Sequence, residues 1–502
     1  MKRLSINKNF QCRGFVFITI FTLTCKLAAD TRTNQDSLAV NKEHLALATP
    51  ASTNPLLFKI TDLNNPINSL PFIIDSLCFI NDPANTLTDF ISELQSLLNG
   101  KDTVINIVHL GDSHIQAGYF SGQTMRQMQN LFGNAGRGWI APLKLSKTNE
   151  PPDYYILSNV KDWIAGRCVQ INPKCPWGIG GIGIQTQAKD VDFRLIITPT
   201  NGAGYSFNKV LFYRDSNAAP MSPAKLNAET ISVIGNDTFD NIRIDTFTTA
   251  NLVDTFAFRS IKTIPQPKSN LYYGFMLMNG EPGILYHAIG VNSAKYTDFT
   301  NREYVRRLSL LKPSLLIISL GTNEAYGRYF KKETFENQLH TFIQLVRDEI
   351  PGTTIIISTP AETFKRVVKN KKNQYVRNEN IAQIAEVIND YSEKEGIASW
   401  DLFSITGGSN SCEKWFEAKM FGRDHIHFTR NGYEAQGILL YKAIKRSCLP
   451  MAVWNPGKID ATKEDAEIEF IDDEMEIEFE SDDMEPQSDM TIVLKKEGWN
   501  VE

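Results

Sequence analysis

Four short clusters in this 502-residue chain hold side chains able to act on a carbonyl. They are Gly111-Asp112-Ser113, Gly290-Val291-Asn292-Ser293, Gly321-Thr322-Asn323-Glu324 and Asp424-His425-Ile426-His427. A serine hydroxyl is a poor nucleophile until an imidazole within hydrogen-bond reach takes its proton. The imidazole needs a carboxylate to fix its tautomer and to stabilise the imidazolium. Asp424 and His427, three apart before a helical pattern, can meet each other and approach Ser113 together. A tetrahedral oxyanion also needs preorganised donors. Candidates are the backbone N–H of Ser113, the backbone N–H of Gly290 and the side-chain amide of Asn323. A loop peptide that must come close to substrate is easiest to build from glycine. A Gly-Asp-Ser tripeptide alone arises by chance in roughly one chain of this size in ten, so the weight rests on the positions of all four clusters.

The elements around the clusters set those positions. Buried-strand patterns occur at 104–110, 284–289, 314–320, 354–359 and 398–403, and helical spacing at 87–98, 122–132, 301–311, 334–349, 380–395 and 430–445. Such alternation predicts a five-stranded parallel sheet covered on both faces, a three-layer α/β/α architecture. Each cluster falls at the carboxyl end of a strand or in the loop facing that end, where doubly wound sheets bind their ligands. Residues 140–282 break the rhythm. Short alternating runs at 193–198, 209–214, 230–234 and 256–261, separated by Gly, Asn and Pro, predict an all-β sandwich inserted between the first and second strands of the sheet.

Composition narrows the class. The chain is 42% apolar, 22% charged and 10% aromatic, which excludes a wholly disordered, collagen-like or disulfide-scaffold protein. The net charge of −5 gives no reason to expect nucleic acid as a partner. Its distribution is uneven: residues 460–490 carry fifteen Asp and Glu against one Lys. That tail, residues 451–502, reads as a solvated or disordered segment. The longest apolar run, residues 14–24, is about half of what crosses a bilayer, so no integral membrane span is expected. With Lys2, Arg3, Lys8 and Arg13 before it and Ala28-Ala29 after it, the run reads as a signal peptide over residues 1–29, followed by a polar linker at 30–60. This predicts export to a periplasmic or extracellular site. Cys25 offers a point of lipid attachment, although Thr22-Leu23-Thr24 is a poor lipobox. Export permits disulfides, and Cys168 and Cys175 are the nearest pair in sequence. With no C-x2-C and seven His, a structural zinc site is not expected.

Gly-Asp-Ser, then Gly, Gly-x-Asn and Asp-x-x-His in that order resemble the SGNH (GDSL-type) serine esterase family. The likeness covers about residues 100–132 and 283–447. It implies a flavodoxin-like hydrolase in two parts, 61–139 and 283–450, split by the sandwich. It also implies Ser113 as nucleophile, Asp424 and His427 as its triad partners, and Ser113, Gly290 and Asn323 as oxyanion donors, with no metal or cofactor. The family's usual Leu after Gly-Asp-Ser is His114 here, and its common Asp after Gly-x-Asn is Glu324. The interrupting sandwich and the stretches 132–139, 289–294 and 321–325 are similar to bacterial peptidoglycan O-acetylesterases. The implied substrate is an O-acetylated glycan, cell wall first. Acetyl transfer to a sugar, deacetylation of another polysaccharide, a lipase acting on long acyl chains, and a glycan-binding protein with a relic triad are the rival readings.

Other residues have plainer roles. Asp112 caps or braces its turn, His114 forms a pocket wall or packs, His425 points away from His427, and His109 and His287 belong to the core. Trp139, Trp163 and Trp177 could stack on sugar rings, yet aromatics in β modules are mostly core. The glycines of 133–138 lack the Lys-Ser/Thr of a phosphate loop.

Overall fold

Strand β1, Val104–Gly111, is apolar at nearly every position and buried along most of its length, as a strand covered on both faces must be. It pairs in parallel with β2, Gly283–Gly290, on one side and with β3, Leu315–Ser319, on the other. Beyond β3 lie β4, Thr354–Ser358, and β5, Ala398–Trp400, so the sheet runs β2-β1-β3-β4-β5. This is the flavodoxin-like order, with its switch point between β1 and β3. The register sets Gly111 opposite both Gly290 and Ser319, so three strands end side by side. The computed structural model describes residues 65–198, 205–224, 230–261, 268–327, 329–369 and 371–448. The expected signal peptide with Cys25, the linker and the acidic tail lie outside the described residues.

Helices Thr88–Leu98, Tyr119–Phe132 and Arg430–Cys448 pack together, and Arg302–Leu308, Lys332–Glu349 and Asn380–Glu395 form a second group. Between Phe132 and Gly283 the chain builds two antiparallel sheets of seven and four strands. Phe193, Phe256 and Phe258 of the smaller sheet meet Phe212, Phe247, Tyr272 and Phe275 of the larger, with ring centroids 4.9 Å apart at Phe247–Phe258 and 5.1 Å at Phe193–Tyr272. This aromatic layer is the sandwich core. Its first strand, Gly138–Ile140, pairs with Asn270–Met278, so the antiparallel ladder begins ahead of position 140. Trp139 and Trp163 are buried within this region, against Tyr213 and Phe193 respectively, and Trp177 packs on Tyr304. Arg137, from the glycine-rich stretch, is buried in an ion pair with Asp153 at 2.5 Å.

Two features differ from the sequence expectations. The strand expected at 398–403 stops at Trp400, because Asp401 caps the short helix Leu402–Ile405 that follows. An antiparallel hairpin, Phe364–Lys369 with Lys372–Arg377, interrupts the crossover from β4 to the next helix. Its sequence carries no strand signature, because most of its side chains are exposed on both faces and leave no inside–outside alternation. Cys168 and Cys175 are not bonded to each other, and all five cysteines among the described residues are buried thiols. No described helix is long and apolar enough to cross a membrane.

Phe212 stacks on Phe275 at 4.6 Å and is fully buried between the sheets. Phe212→Ala should therefore destabilise the sandwich by about 3–5 kcal/mol, read as a drop in the urea midpoint. A loss below about 1 kcal/mol would show that the two sheets do not share this core.

Candidate active site

Strand β1 ends at Gly111, and Asp112 turns the chain into the short helix Ser113–Gln116. Asp112 caps that helix by accepting the His114 N–H at 2.9 Å, which fixes Ser113 as its first residue. The backbone N–H groups of a first helical turn have no partner within the helix, so the Ser113 N–H stays available at the sheet edge. From 314 residues further along the chain, His427 brings its Nε2 to 2.8 Å from Ser113 Oγ. His427 Nδ1 lies 2.5 Å from Asp424 Oδ2. Asp424 Oδ1 accepts the N–H groups of Ile426 and His427, so the loop folds around this carboxylate.

The charges agree with that geometry. Burial works against the ionised form of Asp424, but the hydrogen bond and charge of His427 outweigh it and hold the carboxyl below its ordinary value. Burial likewise opposes protonation of His427, and the bond and charge of Asp424 outweigh it, raising the imidazole above 6.5. Asp112 and Glu324 behave differently: burial pushes each up to about 7. Of these three carboxyls, Asp424 is the one held ionised beside the imidazole.

Gly290 ends β2 against the Ser113 helix, where a Cβ would stand 2.0 Å from the Gln116 nitrogen. No other residue fits there. Asn323 follows Gly321, whose φ of 120° suits glycine and whose Cβ would press 2.9 Å from Ile384. The Asn323 Nδ2 group donates to Asp112 Oδ2 at 3.1 Å and to Ala294 O at 3.0 Å. Both of its hydrogens are thus engaged within the protein, and presenting one to an oxyanion requires an exchange of partner.

The remaining marked residues are also placed. His114 Nδ1 meets the Tyr433 hydroxyl at 3.0 Å, its ring lies 5.4 Å from that of His427, and burial pushes it down to about 3, so it is neutral. Glu324 accepts the Tyr296 N–H at 2.8 Å and so braces the segment after β2. His425 turns away at φ 58° and stacks on Tyr375 at 4.1 Å. His109 bridges Tyr286 and Ser319, and His287 bridges Asn106 and the Trp139 N–H. Behind Asp112 and His114 lies a small cavity of about 30 Å³, lined also by Phe120, Thr359 and Phe428. Among the described residues no group of three or more His, Cys, Asp and Glu is arranged to hold a metal.

One network was missed from sequence. Gln116 Oε1 accepts the Asn292 N–H at 2.7 Å, and Gln116 Nε2 donates to Thr148 Oγ1 and to Asn149. Asn292 Nδ2 donates to Thr148 and Asn149 as well. These bonds tie the loop after Gly290, the Ser113 helix and the segment at 148–149 into one unit. The spacing of Gln116 three residues after Ser113 was the only available signal, and it is shared by many helices that do no chemistry.

A general base works only when neutral, so activity that depends on His427 should rise with pH through a midpoint above 6.5. Stability has the opposite sign: the gain from the raised imidazole is full below 6.5 and is lost as pH rises through the folded value. Asp424→Asn should move the activity midpoint down and reduce kcat by about 10³- to 10⁴-fold. A pH–rate profile unchanged by that substitution would remove Asp424 from the site.

Comparison with known proteins bears on this arrangement. Residues 273–435 match the GDSL-like lipase/acylhydrolase family model, a span that contains Gly290, Asn323, Asp424 and His427 but not Ser113. A solved peptidoglycan O-acetylesterase is 18% identical and aligns with a TM-score of 0.59 over 74% of this chain and 99% of its own. A lipase/acylhydrolase from Enterococcus faecalis is 19% identical over 34% of this chain and 79% of its own, with a TM-score of 0.26. For a GDSL-like lipase from Bacteroides thetaiotaomicron the figures are 16%, 32%, 76% and 0.25. The last two similarities are too low to inform the fold. No curated protein matches the chain. The second part of the five-stranded sheet thus lies in a span similar to the GDSL-like lipase/acylhydrolase family, and the fold as a whole resembles that of a peptidoglycan O-acetylesterase.

Proposed function

We propose that this hydrolase is a serine esterase that removes O-acetyl groups from a carbohydrate polymer outside the cytoplasm, with peptidoglycan as the first candidate. The observation that carries the reading is the continuous line from Ser113 Oγ through His427 to Asp424, with bonds of 2.8 Å and 2.5 Å. Export rests on the charged and apolar pattern of residues 1–29. The glycan rests on the fold shared with a peptidoglycan O-acetylesterase.

In this mechanism His427 Nε2 takes the proton of Ser113 Oγ as the oxygen attacks the acetyl carbonyl. The C–O double bond opens to an oxyanion facing the N–H groups of Ser113 and Gly290 and the Asn323 amide, which gives up its bond to Asp112 or Ala294 to reach it. Collapse breaks the ester bond, and His427 returns its proton to the departing sugar oxygen. Water then attacks the acetyl-Ser113 ester by the same route in reverse, releasing acetate and restoring the hydroxyl. Asp424 stays ionised throughout and stabilises the imidazolium at each step.

Acetate released from O-acetylated peptidoglycan by the mature protein, measured beside Ser113→Ala, tests the reading. Release should fall at least about 10³-fold in the variant. Full activity in Ser113→Ala would remove the nucleophile. If the native protein releases no acetate yet forms an acyl adduct at Ser113, the esterase stands and the cell-wall substrate is replaced by another acetylated glycan.

A further inference from the structure

The hairpin Phe364–Lys369 with Lys372–Arg377 is joined to the catalytic loops. The Phe364 N–H donates to His425 O at 3.1 Å, and the Tyr326 hydroxyl donates to Phe364 O at 3.1 Å. The Tyr375 ring stacks on His425 with centroids 4.1 Å apart, and Phe416 meets the same imidazole at 4.5 Å. His425 lies in sequence between Asp424 and His427, and Tyr326 directly follows the short helix Thr322–Ala325 that carries Asn323. A molecule held on this side of the hairpin stands beside the triad.

The cross-strand register sorts the hairpin side chains. Residues directly opposite each other in an antiparallel ladder share a face, so Phe364, Arg366 and Val368 lie on one face with Arg377, Tyr375 and Asn373. Phe364 and Tyr375 both meet His425, which makes this the face turned to the catalytic loop. Arg366 stands on it, exposed and directly opposite Tyr375. Three aromatic side chains that touch His425 or the hairpin stay open to solvent: Tyr326 at 36%, Tyr375 at 38% and Phe416 at 46%. The negative face of such a ring suits the C–H groups of a sugar laid on it.

The hairpin is strongly cationic. Residues 364–377 hold Lys365, Arg366, Lys369, Lys371, Lys372 and Arg377 and no acid. The acids that flank it in sequence are already engaged: Arg377 pairs with Glu362 and Glu379, and Glu362 also accepts the Cys412 N–H. Asp424 is held by His427. The other five cations show no ion pair among the described residues. Lys369 and Lys372 even face each other across the end of the ladder, where like charges work against pairing. An anion bound between them removes that repulsion.

We propose that Arg366, Tyr375 and the Lys369–Lys372 pair form a subsite for carboxylates carried by the glycan, so that the enzyme selects an acetylated polymer that is also anionic. The inference deepens the esterase reading given above and rests on it for the acetyl chemistry. Arg366 offers a carboxylate two parallel N–H donors, and Tyr375 supports the sugar ring beside it. The lysines extend the positive field along the ribbon and draw the chain in from solution. A neutral acetylated polymer gains the aromatic contacts alone.

The test has a binding arm and an activity arm. Soluble peptidoglycan fragments, stripped of acetyl groups, carry their peptide carboxylates either free or converted to amides, and both sets are titrated into the native full-length protein by calorimetry. Salt is raised from about 0.02 M to about 0.5 M, which shortens the screening length from about 20 Å to about 4 Å. The free carboxylates should bind at least about tenfold tighter than the amides at low salt, and the preference should vanish at high salt. Bound carboxylated fragments should also slow the acetylation of Lys369 and Lys372 by an amine-directed reagent, read by mass spectrometry. R366Q/K369Q/K372Q should lose the preference and lower kcat/KM on acetylated, carboxylated fragments at least about fivefold through KM, with hydrolysis of a small neutral acetate ester unchanged. Equal binding of both fragment sets at low salt overturns the subsite. A preference that leaves the two lysines unprotected overturns its placement on the hairpin, even if the triple variant misfolds. Acetate released equally well from charged and amidated fragments leaves the esterase standing and the selection refuted. If no acetate is released while the preference and the protection are as expected, the subsite stands and the esterase reading fails.

Discussion

The backbone ladder that sets Gly111 opposite Gly290 on one side and Ser319 on the other is the constraint on which the site depends. Three parallel strands in this register end at one level, so the turns beyond them must share a small volume. One turn supplies Ser113, the next passes Gly290 against the Ser113 helix, and the third presents Asn323. A parallel sheet achieves this without any of the three segments being near another in sequence. The last helix then closes the arrangement from the far end of the chain, with His427 three residues before its start.

Within that frame the carboxyls are sorted by their surroundings. Asp424 keeps its charge because it accepts the imidazole and two backbone N–H groups. Asp112 and Glu324 lie deeper, and burial draws both toward the neutral form. Their work is positional: one holds Asn323 and caps the Ser113 helix, the other holds the Tyr296 nitrogen. One chemical type is thus divided by its surroundings between a charged partner for the imidazole and two braces drawn toward the neutral form. His114 follows the same logic: it is buried, neutral and spent on Tyr433, and so adds no second base beside His427.

The five strands and most of the helices were legible in the sequence because burial on two faces and amphipathic spacing leave strong periodic signals. The four clusters were legible because each followed such a strand or opened on such a helix. What escaped lies between elements. The Gln116–Thr148–Asn149–Asn292 network joins segments that no local pattern connects, and its residue types are common on any surface. The engagement of both Asn323 hydrogens is likewise a matter of distance, invisible to composition. The basic hairpin was hidden for the opposite reason, since exposure on both faces removes periodicity altogether.

The catalytic account requires one hydroxyl made nucleophilic by one imidazole, and a serine-directed phosphonate reads that property without any assumption about substrate. Mass spectrometry of the treated protein should find a single adduct on the peptide containing Ser113, and the adduct should be lost in His427→Ala. An unlabelled Ser113, or labelling that persists without His427, would contradict the account.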